Sequence, residues 1–320
     1  MSDEESQADL TQKFYFIGVT TRHSSIMRIF PRWMELLERP NVIVSGVDMP
    51  LHDAPANYRR VVEQIKMRPE VMGGLVTTHK IDLLAAAQDL FDALDPYAAL
   101  CREVSSIAKK DGRLLGYATD PVAGGRCLQE MLGPDYFART GGHVLCLGAG
   151  GAASAIALYF ARRPQSGDRP QRFVAVDIAQ PRLDKLTGMV AQLAATGVGT
   201  DIEFETVYNA DARGNDALLE RLPAGSLVIN ATGMGKDRPG SPLTAAAQLP
   251  VEAVVWELNY RGERLFLQQA LAQQADRLLT VVDGWRYFLY GWTQVIEQVL
   301  HVEVSAQQFE QMGQIAARCR

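Results

Sequence analysis

The sequence predicts an α/β protein built as two domains, and three observations predict it. Its 320 residues suffice for two units of about 150 residues, each with a full core. Short apolar runs alternate with longer amphipathic stretches, the mark of βαβ units and parallel sheets. The alternation then restarts at His143 with a glycine-rich strand-to-helix turn. The expected division is residues 1–122 for the first domain and 123–280 for the second. The helix-patterned segment 281–320 is expected to return to the first domain.

The elements follow in order. FYFIGVT (Phe14–Thr20) reads as a buried strand, and Ile26–Glu38 as a helix that Pro31 starts or bends. Asn41–Met49 is a second strand, Ala56–Lys66 a polar helix, Gly73–Thr77 a short strand and Ile81–Leu94 a further helix. Val104–Asp120 reads as a hairpin turning at Asp111-Gly112. In the second series Val144–Arg163 is strand, glycine turn and helix. Arg172–Ala179 is a strand, followed by a helix from Pro181. FETVY, Ser226–Asn230 and Ala253–Tyr260 are strands. The helix Leu265–Ala275 precedes Leu278–Gly284, and TQVIEQVLHVEV and AQQFEQMGQIAA close the chain as helices.

Composition narrows the function. With 32 Lys+Arg against 37 Asp+Glu the net charge is −5, which gives no footprint for nucleic acid. A 47% hydrophobic content excludes a disordered chain. No run approaches the roughly 20 apolar residues of a membrane span, and the N-terminus MSDEESQADLTQKF is too acidic for a secretory signal. Cys101, Cys127, Cys146 and Cys319 are scattered, which suggests reduced thiols and a cytoplasmic protein; Cys146, inside an apolar run, reads as a small buried hydrophobe. The histidines form no cluster, so no metal site is expected.

The chemistry concentrates at Gly148-Ala149-Gly150-Gly151-Ala152-Ala153. The first glycine of such a turn makes the tight bend, and the second lets backbone approach a pyrophosphate. A small third residue packs helix on strand. The N–H groups and positive end of the following helix hold the phosphates. Asp177 ends the next strand, where a carboxylate chelates the ribose hydroxyls of NAD and repels the 2′-phosphate of NADP. The expected cofactor is therefore NAD, with NADP as the alternative because Arg182 lies within reach of a phosphate. A second polar-to-glycine switch, Asn230-Ala231-Thr232-Gly233-Met234-Gly235, follows a strand at the place where doubly wound sheets bind ligands; an ordinary turn is the plainer reading.

In combination these pieces resemble the shikimate dehydrogenase family, which includes the quinate/shikimate dehydrogenases. The resemblance runs from Phe16 to about Gln298 in the family's order. It is carried by GAGGAASA at Gly148–Ala155, NATGMG at Asn230–Gly235, GGLVTTHK ending at Lys80 and GYATDPVAG with its aspartate at Asp120. RHSS (Arg22–Ser25), ELNYRGE (Glu257–Glu263) and VVDGWRYFLYGW (Val281–Trp292) are weaker echoes. The resemblance implies a substrate domain plus a Rossmann-type NAD(P)-binding domain, and a dehydrogenase acting on a CH–OH group. It implies a catalytic pair, Lys80 and Asp120, and adds Gly284 to the cofactor-binding residues. An ammonium near a developing alkoxide stabilises it and delivers a proton, and a carboxylate beside it orients lysine and substrate. Apart from the family, Lys80 reads as capping a loop and Asp120 as an N-cap before Pro121.

The departures are as informative. Ser24 keeps the first of two family serines, the second falls on Ile26, Met27 replaces the following proline, and Ser25 is displaced by one position. Gly74, Val76, Ser105, Ala118 and Gly291 stand where the family carries polar groups that hold ring hydroxyls and carboxylate. Each lost hydrogen bond to a buried ligand group costs about 1–3 kcal/mol, so shikimate itself is disfavoured and a related cyclic hydroxy acid is expected. The expected substrate contacts are Ser24, Ser105, Tyr260, Arg286 and Tyr287, with Arg286 either binding a carboxylate bidentately or making a surface ion pair. A small carboxylic acid is thus the expected ligand, and a homodimer is compatible with this reading. Two alternatives stay open: a non-catalytic dinucleotide-binding redox sensor, and another lysine-dependent two-domain dehydrogenase of the methylene-tetrahydrofolate type.

Overall fold

A computed structural model describes residues 11–163, 167–199, 201–236 and 238–319; most of the acidic N-terminal segment lies outside them. The chain divides into two compact units, residues 1–119 with 291–320, and 120–290.

Unit 1 contains β1 (Gln12–Gly18), α1 (Ile26–Leu36), β2 (Val42–Asp48), α2 (Pro55–Met67), β3 (Val71–Val76), α3 (Lys80–Ala87), β4 (Ala93–Leu94), α4 (Pro96–Cys101), β5 (Ser106–Lys110) and β6 (Arg113–Tyr117). Its sheet runs β2-β1-β3-β5-β6-β4. β1 is parallel to both neighbours, whereas β5 and β6 form an antiparallel hairpin. Asp111 and Gly112 both have positive φ, 51° and 72°, the conformation a tight two-residue hairpin turn requires. α1 buries Ile26, Ile29, Phe30, Trp33 and Met34 and carries Pro31 in its interior, so this face rather than backbone propensity holds the helix.

The helix expected over Ile81–Leu94 stops at Ala87, followed by a 3₁₀ turn over Gln88–Leu90 and the strand β4. Two carboxylates explain the break. Asp92 accepts from the Leu114 N–H at 2.7 Å. Asp95 N-caps α4, accepting from Ala98 N–H at 2.7 Å and also from Ala118 N–H at 3.1 Å. Pro96 then disfavours helix at Asp95 and opens a new one.

Unit 2 contains α5 (Asp120–Leu132), α6 (Tyr136–Thr140), β7 (Val144–Leu147), α7 (Gly151–Arg162), β8 (Arg172–Asp177), α8 (Gln180–Ala194), β9 (Glu203–Tyr208), α9 (Ala212–Leu219), β10 (Leu227–Asn230), β11 (Val254–Glu257), α10 (Leu265–Arg277) and β12 (Thr280–Val282). All six strands are parallel, in the order β12-β11-β10-β7-β8-β9. Counted within the unit this is 6-5-4-1-2-3, the doubly wound order whose switch point lies between β7 and β10. β7, β10 and β11 are buried on both faces, which is why they read as unbroken apolar runs.

The chain ends with α11 (Trp285–Leu300) and α12 (Ala306–Ala317). α11 starts well before the expected Thr293 and stops before HVEV; Ser305 and Gln308 form a capping box that opens α12. The unit boundary falls within α11, at 290/291 against the expected 280/281. Tyr287 packs on Trp256, and Trp285 and Phe288 on Tyr260, with ring centroids 4.7–6.0 Å apart. Trp292, by contrast, meets Phe14, Phe16 and Phe30 of unit 1.

Candidate active site

The glycine turn stands at the switch point of unit 2. Gly148 follows β7 with φ at 104°, and a Cβ there would lie 2.7 Å from the carbonyl carbon and oxygen of Ala231. The first glycine is thus demanded both by its backbone angle and by the loop after β10. Gly150 is the N-cap of α7 and offers no side chain to the helix N–H groups. A Cβ at Gly150 would meet nothing within 4 Å. Such a helix end, open at its approach and without a side-chain cap, fits an anionic phosphate group. A crevice beside the turn is lined by Gly148, Asp177, Arg182, Asn209, Thr232 and Arg238.

Asp177 ends β8 and is 6% exposed. Its carboxylate accepts from the Ala149 N–H at 2.8 Å and from the Ala179 N–H at 2.9 Å, and Arg182 Nη1 lies 3.6 Å away. It therefore fastens the glycine turn as well as bordering the crevice. A carboxylate has about four lone-pair sites, so capacity remains for a further donor.

The Asn230–Gly235 loop is held by a group that sequence reasoning missed. Asn230 and Glu257, register partners on β10 and β11, are both fully buried. Asn230 Nδ2 donates to Glu257 Oε2 at 2.8 Å, and the Asn259 N–H donates to Oε1 at 2.8 Å. Asn230 Oδ1 accepts from the N–H and hydroxyl of Thr232 at 3.1 and 2.6 Å. Thr232 Oγ1 accepts the Met234 N–H at 3.1 Å, and Asn259 Nδ2 donates to the Met234 carbonyl at 2.9 Å. Burial pushes the Glu257 carboxyl up to about 7 against the opposing pull of the Asn259 and Asn230 donors and of Arg264. The signal was present in the sequence as a lone acid ending the apolar run VVWE. Gly284 lies beside this cluster: a Cβ on it would stand 1.9 Å from the Leu258 carbonyl oxygen, so glycine is needed there for packing.

In unit 1 Lys80 is the first residue of α3 and half-buried, its carbonyl accepting the Val104 N–H at 3.2 Å. The preceding His79 is buried, with Nδ1 3.0 Å from the Tyr58 hydroxyl. Ser24 and Ser25 lie half-buried at the start of α1, Ser25 as its N-cap. Their turn is clamped by a pair that motif reading passed over. Asp48, at the end of β2, accepts from both the N–H and the hydroxyl of Thr21 at 2.7 and 2.6 Å, and these bonds hold its carboxyl below the usual range. Ser105 is buried, with its hydroxyl 2.8 Å from Thr119 Oγ1 and 3.3 Å from the Tyr117 carbonyl.

The remaining residues lie in unit 2. Asp120 is the first residue of α5 and half-buried. Arg286 meets Glu130 in a bidentate pair at 2.8 and 3.0 Å, and the same carboxylate accepts from the Tyr290 hydroxyl. Tyr260 is half-buried against Trp285 and Phe288, and Tyr287 packs edge-on to Trp256. Among the described residues no three or more His, Cys, Asp or Glu side chains are grouped to hold a metal, and no helix is long and apolar enough to cross a membrane.

No protein-family model matches the sequence. A Streptococcus sanguinis protein named shikimate dehydrogenase (NADP(+)) is 30% identical over 211 residues, 64% of this chain and 65% of that one, just short of two thirds of its length. A Methylobacterium radiotolerans protein of the same name is 29% identical over 260 residues, 78% and 82% of the two chains. Among solved structures, a shikimate 5-dehydrogenase from Listeria monocytogenes, in complex with shikimate and NAD, superposes with a TM-score of 0.71 at 20% identity, over 94% of this chain and 96% of that one. A quinate dehydrogenase from Corynebacterium glutamicum, in complex with NAD, gives 0.72 at 18% identity over 97% and 100%. These likenesses give the fold, an α/β architecture with a Rossmann-type unit. By sequence and fold together, the chain resembles the shikimate dehydrogenases.

Proposed function

We propose that this protein is an NAD(H)-dependent dehydrogenase that interconverts the secondary alcohol and ketone of a small cyclic hydroxy acid related to shikimate or quinate. The observation that carries the reading is the open helix end of α7 beside the Gly148 turn, at the switch point of an all-parallel sheet. Gly148, Ala149, Gly150, Gly151 and Ala152 would hold the pyrophosphate, and Asn230, Ala231, Thr232, Gly233, Met234 and Gly284 the nicotinamide half. The dinucleotide held there would supply, or take up, the hydride at the substrate carbon. The protein's share is the proton: in reduction the Lys80 ammonium stabilises the charge growing on the carbonyl oxygen and passes a proton to it. Asp120 orients that ammonium and the substrate hydroxyl, and oxidation runs the same steps backwards.

The buried Asp177 charge supports NAD over NADP, although the curated relatives carry NADP(+) in their names; Arg182 is the residue through which a 2′-phosphate would be tolerated. Residues 1–122 with the C-terminal helices 281–320 would bind substrate, Ser24 contacting it, and 123–280 would bind the dinucleotide, with Tyr260 of that part a further expected substrate contact. A cytoplasmic homodimer accords with this reading. A second reading, a dinucleotide sensor without turnover, is favoured by one observation. Arg286 and Ser105, two of the expected substrate contacts, are engaged by Glu130 and by Thr119 and Tyr117.

Absorbance at 340 nm, with NAD and a panel of cyclic hydroxy acids, separates the two. Turnover that falls at least a hundredfold in Lys80→Ala is expected, general acid–base groups contributing roughly 10²–10⁴-fold. NADH binding without turnover across the panel would establish the sensor instead.

A further inference from the structure

Glu257 is the one fully buried carboxylate in the loop network described above, and the proposed chemistry gives it no task. Its surroundings are built around it. Asn230 Nδ2 and the Asn259 N–H each donate to one of its oxygens at 2.8 Å, so the carboxylate fixes which way the Asn230 amide faces. With its NH₂ turned to Glu257, Asn230 presents Oδ1 to Thr232. Thr232 in turn accepts the Met234 N–H, while Asn259 takes the Met234 carbonyl. Both backbone groups of Met234 are thereby set, one through a relay of three side chains that starts at Glu257.

The loop is pinned from outside as well. Arg264 N–H donates to the Gly235 carbonyl at 2.9 Å. Its guanidinium is held at 2.9 Å by Asp283, which also accepts the Trp285 N–H at 3.0 Å. Arg264 bears on Glu257 and favours its charged form, and Asp283 holds that guanidinium. β10 faces it with the neutral Asn230, and α11 packs on β11 through Tyr287 against Trp256.

We propose that Glu257 is a positioning residue for the dinucleotide, ordering the Asn230–Gly235 loop when ionised and releasing it when protonated. This rests on the reading of that loop as part of the cofactor site. Both groups hydrogen-bonded to the carboxylate, Asn230 Nδ2 and the Asn259 N–H, donate to it, so adding a proton replaces acceptor capacity with a donor that they do not need. The group titrates near pH 7 because burial opposes its charge. If only the ionised form binds, apparent affinity scales with its fraction, and the Kd rises about tenfold between pH 8 and pH 6.

The test is fluorescence titration with NADH, chosen because it has no 2′-phosphate to titrate in this range, on the full chain from pH 8 to pH 6. The wild type is expected to weaken about tenfold across that range, and Glu257→Gln, which has no proton to gain, to change less than twofold. A flat wild-type profile, or a Glu257→Gln profile as steep as the wild type's, overturns the proposal. Hydrogen exchange of the Thr232 and Met234 amides in the wild type needs no variant. Their protection is expected to fall below pH 7 ahead of the neighbouring strand amides, and undiminished protection overturns the proposal too. Absence of NADH binding at every pH is a different failure, which removes the dinucleotide reading itself.

Discussion

Two alanine substitutions two residues apart in the glycine turn are expected to do opposite things. Gly148→Ala places a methyl group in a backbone conformation with φ at 104° and 2.7 Å from the Ala231 carbonyl. The angle alone costs about 1–3 kcal/mol for a residue with a side chain. The overlap is with main chain on both sides, which yields only by moving β7 from the loop after β10, at about 1–3 kcal/mol more. The sum is about 2–6 kcal/mol, and for a unit of this size each kcal/mol lowers Tm by roughly 2–4 °C, so a fall of at least 4 °C is expected. Gly150→Ala has φ at −76° and open space around its Cβ, so its Tm should stay within about 1 °C, consistent with the small cost of changes away from packed features. NADH binding should nevertheless weaken at least tenfold, because the added methyl occupies the approach to the helix end. Calorimetry and NADH titration on the intact chain measure both. A Gly148→Ala protein as stable as the wild type would refute the steric account of the turn; a Gly150→Ala protein that binds NADH normally would refute the phosphate assignment.

Two further outcomes follow from the carboxylates of unit 2. Asp177→Ala is expected to raise KM for NAD and narrow its gap to NADP, and to cost about 1–3 kcal/mol of stability because the Ala149 and Ala179 N–H groups lose their acceptor; unchanged cofactor preference in steady-state kinetics contradicts the ribose assignment. Glu257 binds its proton more tightly folded than unfolded, its value rising from 4.5 to about 7. Its contribution to stability is therefore full below pH 4.5 and lost as pH rises through 7. Glu257→Gln removes that slope, so urea unfolding should show the variant gaining about 2–3 kcal/mol on the wild type between pH 5 and pH 8. Parallel curves contradict the burial argument.

Much of this was readable from residues alone, for identifiable reasons. The strands β7, β8, β10 and β11 show as apolar runs because parallel strands in such a sheet are covered on both faces. The glycine turn shows because three small residues at fixed spacing leave few other uses. The hairpin at Asp111-Gly112 is legible because its turn residues need positive φ. What failed was either local and overlooked or not local at all. The Asp95-Pro96 start of α4 is written in the chain, yet the apolar spacing of Ile81–Leu94 suggested one unbroken helix. Glu257 is the second kind: its partner Asn230 lies 27 residues away and is brought alongside only by strand register. Likewise, the Glu130 that engages Arg286 is 156 residues distant, so no window of sequence distinguishes a substrate-binding arginine from one already satisfied within the protein.

The division of the chain has a consequence for how it is made. Residues 120–290 are contiguous, but the first unit is completed only by 291–320. Trp292 supplies the ring against which Phe14, Phe16 and Phe30 close, and Trp33 donates to the Met312 carbonyl at 2.9 Å. A ribosome adding roughly 5–20 residues per second leaves those early aromatics without their cover for the whole time the middle of the chain is translated. The first unit is therefore completed only after residues 120–290 have been made, and until then the nascent chain depends on residues 291–320 still to come, and on whatever shields the waiting apolar surface, to avoid clumping.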